Sequence, residues 1–155
     1  WSANGYRLPT EAEWEKASRG TLAGNAYPWG NTITGSDANY YNSGDPFDNE
    51  TTPVGYYDGG QVPVGEDRAN GYGLYDMAGN VWEWCWDWYD ESWYNNGDAT
   101  TTDTRGPNTS PNDGRVLRGG SWFQASSILR CANRNVVNPL YGFIVPVGFR
   151  SARGL

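Results

Sequence analysis

The fold of this chain is predicted from the pattern of residues 115–153, RVLRGGSWFQASSILRCANRNVVNPLYGFIVPVGFRSAR. The two ends of this stretch, 118–122 (RGGSW) and 148–150 (GFR), are typical of scaffold. The residues between them follow neither strict alternation nor a helical period. Periodicity alone favours one or two buried strands there. The alternative is a binding surface held between fixed anchors, because binding sites are commonly variable loops on a rigid frame.

Length and charge narrow the class of protein. The chain has 155 residues, enough for one domain with a core, and 11 basic against 18 acidic side chains give a net charge of −7. Since a negative surface repels phosphate, nucleic-acid binding is not expected. No apolar run is long enough to span a membrane. The chain opens at Trp1 without a methionine or a visible signal peptide, so we expect a fragment.

Histidine is absent, and only two cysteines are present, Cys85 and Cys131. The absence of histidine excludes histidine-based triads and histidine-ligated zinc or iron sites. Two cysteines are too few for a disulfide scaffold or a four-thiolate metal site. We expect buried free thiols, with a bridge between them as the alternative. The 9 Trp, 11 Tyr and 21 Gly favour irregular β architecture with long ordered loops.

One helix is predicted near residues 11–18, within RLPTEAEWEKAS. Thr10 and Glu13 have the spacing of a capping box, and Gly20 is placed to end the helix in a left-handed conformation. Trp14 and Ala17 would face inward. From 21 to 73 turn signals alternate with aromatic residues, which predicts coil pinned by aromatic packing, with or without a metal.

Two strands are predicted in the second half. Residues 81–88 alternate, with the four tryptophans 82, 84, 86 and 88 on one side, so we expect a strand with a large aromatic layer; a sugar-binding platform is the less favoured alternative. Residues 90–114 form a polar loop. Residues 115–122 form the next strand, with a bulge or a close approach at Gly119 and Gly120.

Several motifs then occur together in one order: YRLPTEAEWEKASRG, YPWGN, TTPVG, NGYGLYDMAGNVWEW, RVLRGGSW, RCANR and GFR. This combination resembles the formylglycine-generating-enzyme (sulfatase-modifying factor) family. The resemblance implies an α+β, C-type-lectin-like fold with little regular structure, small antiparallel sheets and long ordered loops. It also implies that residues 1–155 are the C-terminal part of one domain. The N-terminal part would then supply the first strands, including the partner of the C-terminal strand.

The catalytic residues of that family are not matched. The resemblance implies two cysteines shortly after GGS that bind copper; Gln124 stands at the first position and the second cysteine is gone. Cys131 matches a structural cysteine of the RCANR motif. Because glutamine is no thiolate, we expect no copper and no enzyme activity. An oxidase with an unrecognised site is the alternative.

The remaining pattern is similar to variable proteins of diversity-generating retroelements, in which a segment bounded by motifs like GGSW and GFR is rewritten at template adenines. Asn135 and Asn138 among apolar neighbours fit such a segment, 123–147. The predicted ligand-binding residues are Phe123, Gln124, Ser126, Ser127, Ile128, Val136, Val137, Leu140, Tyr141, Phe143, Ile144 and Val145. The partner would be a protein or cell-surface ligand, with the host on a cell surface, secreted or in a phage tail. A pseudoenzyme interaction module, such as a kinase-linked or protease-linked sensor domain, stays open.

The resemblance also implies two calcium sites, whose oxygen ligands suit that ion. The first would use Asp76 and Glu83 with the carbonyls of Gly79 and Val81. The second would use Asn39 and Asp45 with the carbonyls of Tyr40 and Phe47. The alternative for the first is that Asp76 caps the turn and Glu83 pairs with an arginine such as Arg118. We expect Arg118 and Arg150 to be buried framework, not ligand contacts.

Overall fold

The structure, a computed structural model, describes residues 5–47, 49–111, 113–141 and 146–153. Its regular elements are short and few: β1 (Tyr6–Arg7), α1 (Glu11–Arg19), β2 (Trp82–Trp88), β3 (Arg115–Arg118), β4 (Asn135–Val137), β5 (Val147–Gly148) and β6 (Ala152–Arg153). Three 3-10 turns add Trp93–Asn95, Gly97–Thr100 and Ser126–Leu129. The predicted binding residues Phe143, Ile144 and Val145 lie outside the described residues. No described helix is long and apolar enough to cross a membrane.

Helix α1 forms as its sequence predicts. The Glu13 amide donates to Thr10 Oγ1 (3.2 Å), and the Thr10 amide donates to Glu13 Oε2 (2.8 Å), which completes the capping box. Gly20 ends the helix, but at a φ of 55° and a ψ of −119° it does not adopt the predicted left-handed helical conformation. Trp14 is buried and Ala17 packs partly buried against the same cluster. The inner face of α1 therefore covers the core.

A four-stranded sheet in the order β4-β3-β2-β5 carries both ends of the 115–153 stretch. β3 is antiparallel to β2 and β4, with Glu83 opposite Arg118 and Asn135 opposite Leu117, and β5 runs parallel to β2. β3 ends at Arg118, earlier than predicted, because Gly119 and Gly120 both adopt positive φ (94° and 75°). A side chain at Gly120 would meet Leu129, so the predicted close approach is confirmed.

The C-terminal strand has a partner inside this chain. β6 pairs antiparallel with β1, with Tyr6 opposite Arg153 and Arg7 opposite Ala152. The expectation that a preceding part of the domain supplies this partner is wrong for that edge. Two-residue strands carry little sequence signal, so neither β1 nor β6 was predicted.

The alternation in β2 is confirmed, but the tryptophan side is only partly buried: Trp82 is buried, and Trp84 and Trp88 are half-buried. Glu83, Cys85 and Asp87 are all buried, whereas Trp86 is 42% exposed. The polar residues face α1 because the helix supplies their donors. The Glu11 amide donates to Asp87 Oδ2 (2.7 Å), and the Trp14 indole N–H donates to Glu83 Oε2 (2.6 Å). The predicted tryptophan layer is therefore incomplete, and the opposite side of β2 makes buried polar contacts with α1.

Two apolar clusters complete the interior. The first contains Trp14, Met77, Cys85 and Val116; the second contains Tyr27, Ala38, Ala78 and Leu129. Both cysteines are buried free thiols, as predicted, and the Ser18 hydroxyl donates to Cys131 Sγ (3.2 Å). The turn-rich stretch, residues 21–73, is held to the rest of the domain by side chains that form hydrogen bonds with backbone groups. Asn80 does this twice, accepting from the Thr52 amide and donating to the Thr52 carbonyl.

Candidate functional site

The front anchor of the candidate binding segment is Arg118, whose side chain is fully buried. Its guanidinium donates to the carbonyls of Cys131 and Asn133 (both 2.8 Å) and forms an ion pair with Glu15. It thereby ties β3 to α1 and to the RCANR residues in the middle of the segment. A charged group that donates to several buried acceptors is a strong structural tie. The predicted framework role is confirmed.

The back anchor is Arg150. Its Nε and Nη2 donate to the two carboxylate oxygens of Glu83 (2.6 Å each), and Nη2 also reaches the carbonyls of Tyr75 and Asp76 (3.3 Å each). The segment's end is thus fixed to β2. Glu83 therefore pairs with an arginine, as in the alternative to the first calcium site, but the arginine is Arg150. Arg118 pairs with Glu15.

The first cluster of predicted binding residues follows β3. Phe123 is 57% exposed and its ring contacts Trp122 edge to face, with centroids 5.6 Å apart. Gln124, Ser126 and Ile128 are half-buried, and Ser127 is exposed. The Gln124 carbonyl accepts from the Tyr41 amide (2.9 Å). Exposed Tyr41 therefore lies beside this cluster, a contact that sequence reasoning missed because the turn-rich stretch has no period.

The second cluster begins in β4. Val136 and Val137 are half-buried, while Leu140 and Tyr141 are 87% and 72% exposed. A turn closed by Asn138 holds the two exposed residues: its Oδ1 accepts from the Leu140 amide and its carbonyl from the Tyr141 amide. Both clusters are therefore attached to β3, one following it in the chain and one paired with it.

The resemblance implies a catalytic cysteine at position 124, where this chain has glutamine. Gln124 presents a carboxamide there, and the two thiols of the chain lie elsewhere in the core. Burial raises the pKa of the Cys85 thiol well above its usual range and also raises the pKa of Cys131. Both are therefore protonated at neutral pH, and a thiolate is what copper binding or nucleophilic attack needs.

The first predicted calcium set lies against the back anchor. Asp76, at a φ of 57°, accepts from the Gly55 amide (2.7 Å), and burial raises the pKa of its carboxyl. Both oxygens of Glu83 already accept N–H groups of Arg150, and one of them also accepts from Trp14. A calcium ion here would share Glu83 with a guanidinium, so this set fits the ion poorly.

The second predicted set surrounds a small cavity. Asn39, Tyr40, Asp45 and Phe47 all line it, together with Trp122, and its volume of about 10 Å³ is the size of one ion or water. Asp45 is buried and accepts from the Phe47 amide (2.8 Å). Within the described ranges no group of three or more His, Cys, Asp or Glu side chains could hold a metal ion, so a cation here would combine the Asp45 carboxylate with amide and carbonyl oxygens. This set fits calcium better than the first.

The fold of small sheets, one helix and long ordered loops is the C-type-lectin-like fold of the formylglycine-generating type. The whole chain, residues 1–155, matches the family described as the sulfatase-modifying factor enzyme 1-like domain, and the chain belongs to that family. Among curated proteins, it is 44% identical to the serine/threonine-protein kinase pkn1 of Chlamydia caviae, over 97% of this chain and 21% of that protein. It is 47% identical to the formylglycine-generating enzyme of Thermomonospora curvata, over 77% of this chain and 39% of that enzyme.

Solved structures extend the comparison. Treponema denticola variable protein 1 superposes with a TM-score of 0.74 at 35% identity, covering 99% of this chain and 49% of that one. PvdO from Pseudomonas aeruginosa gives a TM-score of 0.73 at 29% identity, covering 97% and 53%. The chain thus spans about half of these structures and a smaller share of the curated relatives.

Proposed function

We propose that this chain is a non-enzymatic binding domain that presents residues 123–147 to a protein or cell-surface ligand, and that a retroelement diversifies this segment. One observation carries the proposal. Phe123, Leu140 and Tyr141 are each more than half exposed, although the segment that holds them is fixed at both ends by Arg118 and Arg150.

Large apolar side chains in water on a fixed frame are suited to protein recognition. Burying one such side chain against a partner is worth about 1.5–3 kcal/mol. A few aromatic or apolar anchors commonly supply most of the affinity of an interface. Because the frame is already ordered, little conformational entropy is lost on binding. The similarity to a solved variable protein over 99% of this chain supports the same assignment.

The anchors also explain how the segment tolerates change. The bonds of Arg118 to the RCANR stretch run to backbone carbonyls, so they do not depend on the side chains at the variable positions. The absence of catalysis is part of the proposal and is supported by Gln124 at the first catalytic position and by the two protonated, buried thiols. A structural calcium ion at the Asn39–Phe47 cavity and display on a cell surface or a phage tail belong to the proposal as well.

Sequencing the gene's surroundings and sister isolates tests the proposal. We expect a near-copy of the DNA that encodes 123–147, differing at adenines, beside a reverse transcriptase gene. Substitutions among isolates should fall on the proposed binding residues and leave Arg118 and Arg150 unchanged. Substitutions spread evenly along the chain, with no such repeat, would contradict it.

A second candidate is an interaction or sensor domain within a larger protein. The match to pkn1 of Chlamydia caviae favours it, since that match covers 97% of this chain but only 21% of that protein. In this case the 123–147 surface would be the same in all isolates. An enzyme of the formylglycine-generating type is the remaining alternative, and copper-dependent oxygen uptake with a cysteine peptide would establish it.

A further inference from the structure

We propose that the outer side of α1 forms a second binding site, separate from the variable positions, for a flat apolar molecule that carries one negative charge. A cavity of about 640 Å³ lies between α1, Tyr94 and the residues just before β4. Ala12, Lys16 and Arg19 line it from the helix, and Ala132 and Arg134 from the opposite side. This volume falls within the range of about 300–1,000 Å³ that is usual for small-molecule sites.

The lining explains the apolar part of the ligand. The lining includes three alanines, Ala12, Ala23 and Ala132. Because their side chains are small, they do not fill the space between α1 and the residues before β4. Tyr94 adds an aromatic surface, and the Arg134 guanidinium lies 5.0 Å from its ring centroid. A ring system placed here would contact the methyl groups of the alanines and the ring of Tyr94, which are favourable contacts for an apolar body.

The charged side chains of the lining explain why the ligand should carry a negative group. The lining has three cations, Lys16, Arg19 and Arg134, and one carboxylate, Glu15, although the whole chain has a net charge of −7. Glu15 is committed to Arg19 (2.8 Å) and to Arg118, and Arg134 is held by Glu11 (2.7 Å). Exposed Lys16 has no hydrogen bond or ion pair among the described residues. Its ammonium is therefore the group free to meet an anion, and the local positive field selects for one.

Two dyes with the same ring system test this inference. 1-Anilinonaphthalene-8-sulfonate carries the charge, and N-phenyl-1-naphthylamine lacks it. We expect the sulfonate to bind at least tenfold more tightly by fluorescence titration. Lys16→Glu should weaken the sulfonate at least tenfold and the neutral dye less than twofold. Arg105→Glu, an equal change of net charge at an exposed loop position, is the matched control and should alter neither.

Lys16 is the only lysine of the chain, which gives a direct reporter of the site. Reductive ¹³C-methylation keeps its charge and labels only Lys16 and the terminal amine. The Lys16 resonance should shift on addition of the sulfonate, and Ala132→Leu, which fills the cavity, should abolish the shift; Ala23→Leu serves if that variant does not fold. A fixed Lys16 resonance at saturating dye, or equal affinity for both dyes, would overturn the inference. So would protection of Lys16 from methylation by another segment of a longer gene product. None of these results tests the exposed residues Phe123, Leu140 and Tyr141 on which the proposed function rests.

Discussion

Gly114 leaves the space that the Val136 side chain occupies: a Cβ built on Gly114 would lie 2.2 Å from Val136 Cγ2. Gly114 is buried just before β3, and Val136 is the central residue of β4, opposite Val116. A proposed variable position therefore faces a glycine. The missing side chain at position 114 makes the room that Val136 fills.

We predict that Gly114→Ala destabilises the domain by about 1–3 kcal/mol, the usual cost of overpacking a filled site. Val136→Ala should recover most of that loss when combined with it, because the clash is between these two groups alone. A double-mutant cycle on urea unfolding measures the coupling. Additive effects of the two substitutions would show that the strain at Gly114 lies in the backbone.

The pH dependence of stability should report Asp87. Its carboxyl is buried beside Glu11, and burial together with that neighbouring charge raises its pKa to about 6. Because the folded-state pKa is above the ordinary value, the native state binds the proton more readily than the unfolded chain. Stability from this group is therefore fully present below about pH 4 and is lost as pH rises through 6.

Asp87→Asn keeps an oxygen that accepts from the Glu11 amide and removes the buried charge. We expect the variant to be more stable than the parent by about 1–3 kcal/mol above pH 7, from about 1.4 kcal/mol per pKa unit. The two curves should converge near pH 4. Asp98→Asn, at an exposed carboxylate, is the control. A constant difference at every pH would mean that Asp87 acts through packing.

The ion pair between Glu83 and Arg150 should matter more than its surface counterparts. Glu83 is buried and accepts from Arg150 and Trp14, so Glu83→Gln leaves the guanidinium without its charge partner. We expect a loss of about 2–4 kcal/mol in chemical unfolding, near the cost of breaking a buried pair. The control is Glu66→Gln, because the Glu66 side chain is 82% exposed beside Arg68 and its loss should change stability by less than about 1 kcal/mol.

How much of this could be read from the sequence depends on how local the determinants are. The capping box lies within four residues, so α1 was predicted with its ends. The period of β2 was also readable, but not the side that is buried. That side is decided by Trp14 and Glu11, which lie about 70 residues away and supply donors to Glu83 and Asp87.

The candidate site shows the same division. Its anchors were predicted from Arg118 and Arg150 in recognisable motifs, and the structure shows both holding buried acceptors. Tyr41 was missed because a backbone hydrogen bond to Gln124, more than 80 residues away, has no sequence signature. The cavity beside α1 was missed for a similar reason, because the alanines that line it come from three separate stretches of the sequence.

The calcium prediction separates the two candidate sets. We expect millimolar calcium, but not magnesium, to raise the midpoint of thermal unfolding, because an ion that binds only the native state adds stability with its concentration. Asp45→Asn should abolish the shift, since its buried carboxylate lines the ion-sized cavity. Asp76→Asn should keep it, because Arg150 already supplies the positive charge at Glu83. A shift that survives Asp45→Asn and disappears with Asp76→Asn would reverse this assignment.

Finally, the exposed and buried residues of the binding segment should respond differently to substitution. Leu140→Ser and Tyr141→Ser remove side chains that are mostly in water, so we expect each to change the free energy of unfolding by less than about 0.5 kcal/mol. Leu129, between the same anchors, is fully buried in the second apolar cluster, and Leu129→Ala should cost about 2–5 kcal/mol. Chemical unfolding of the three variants measures the contrast. Equal losses at all three positions would mean that Leu140 and Tyr141 pack against the domain, and a surface made of packed residues could not be diversified without unfolding it.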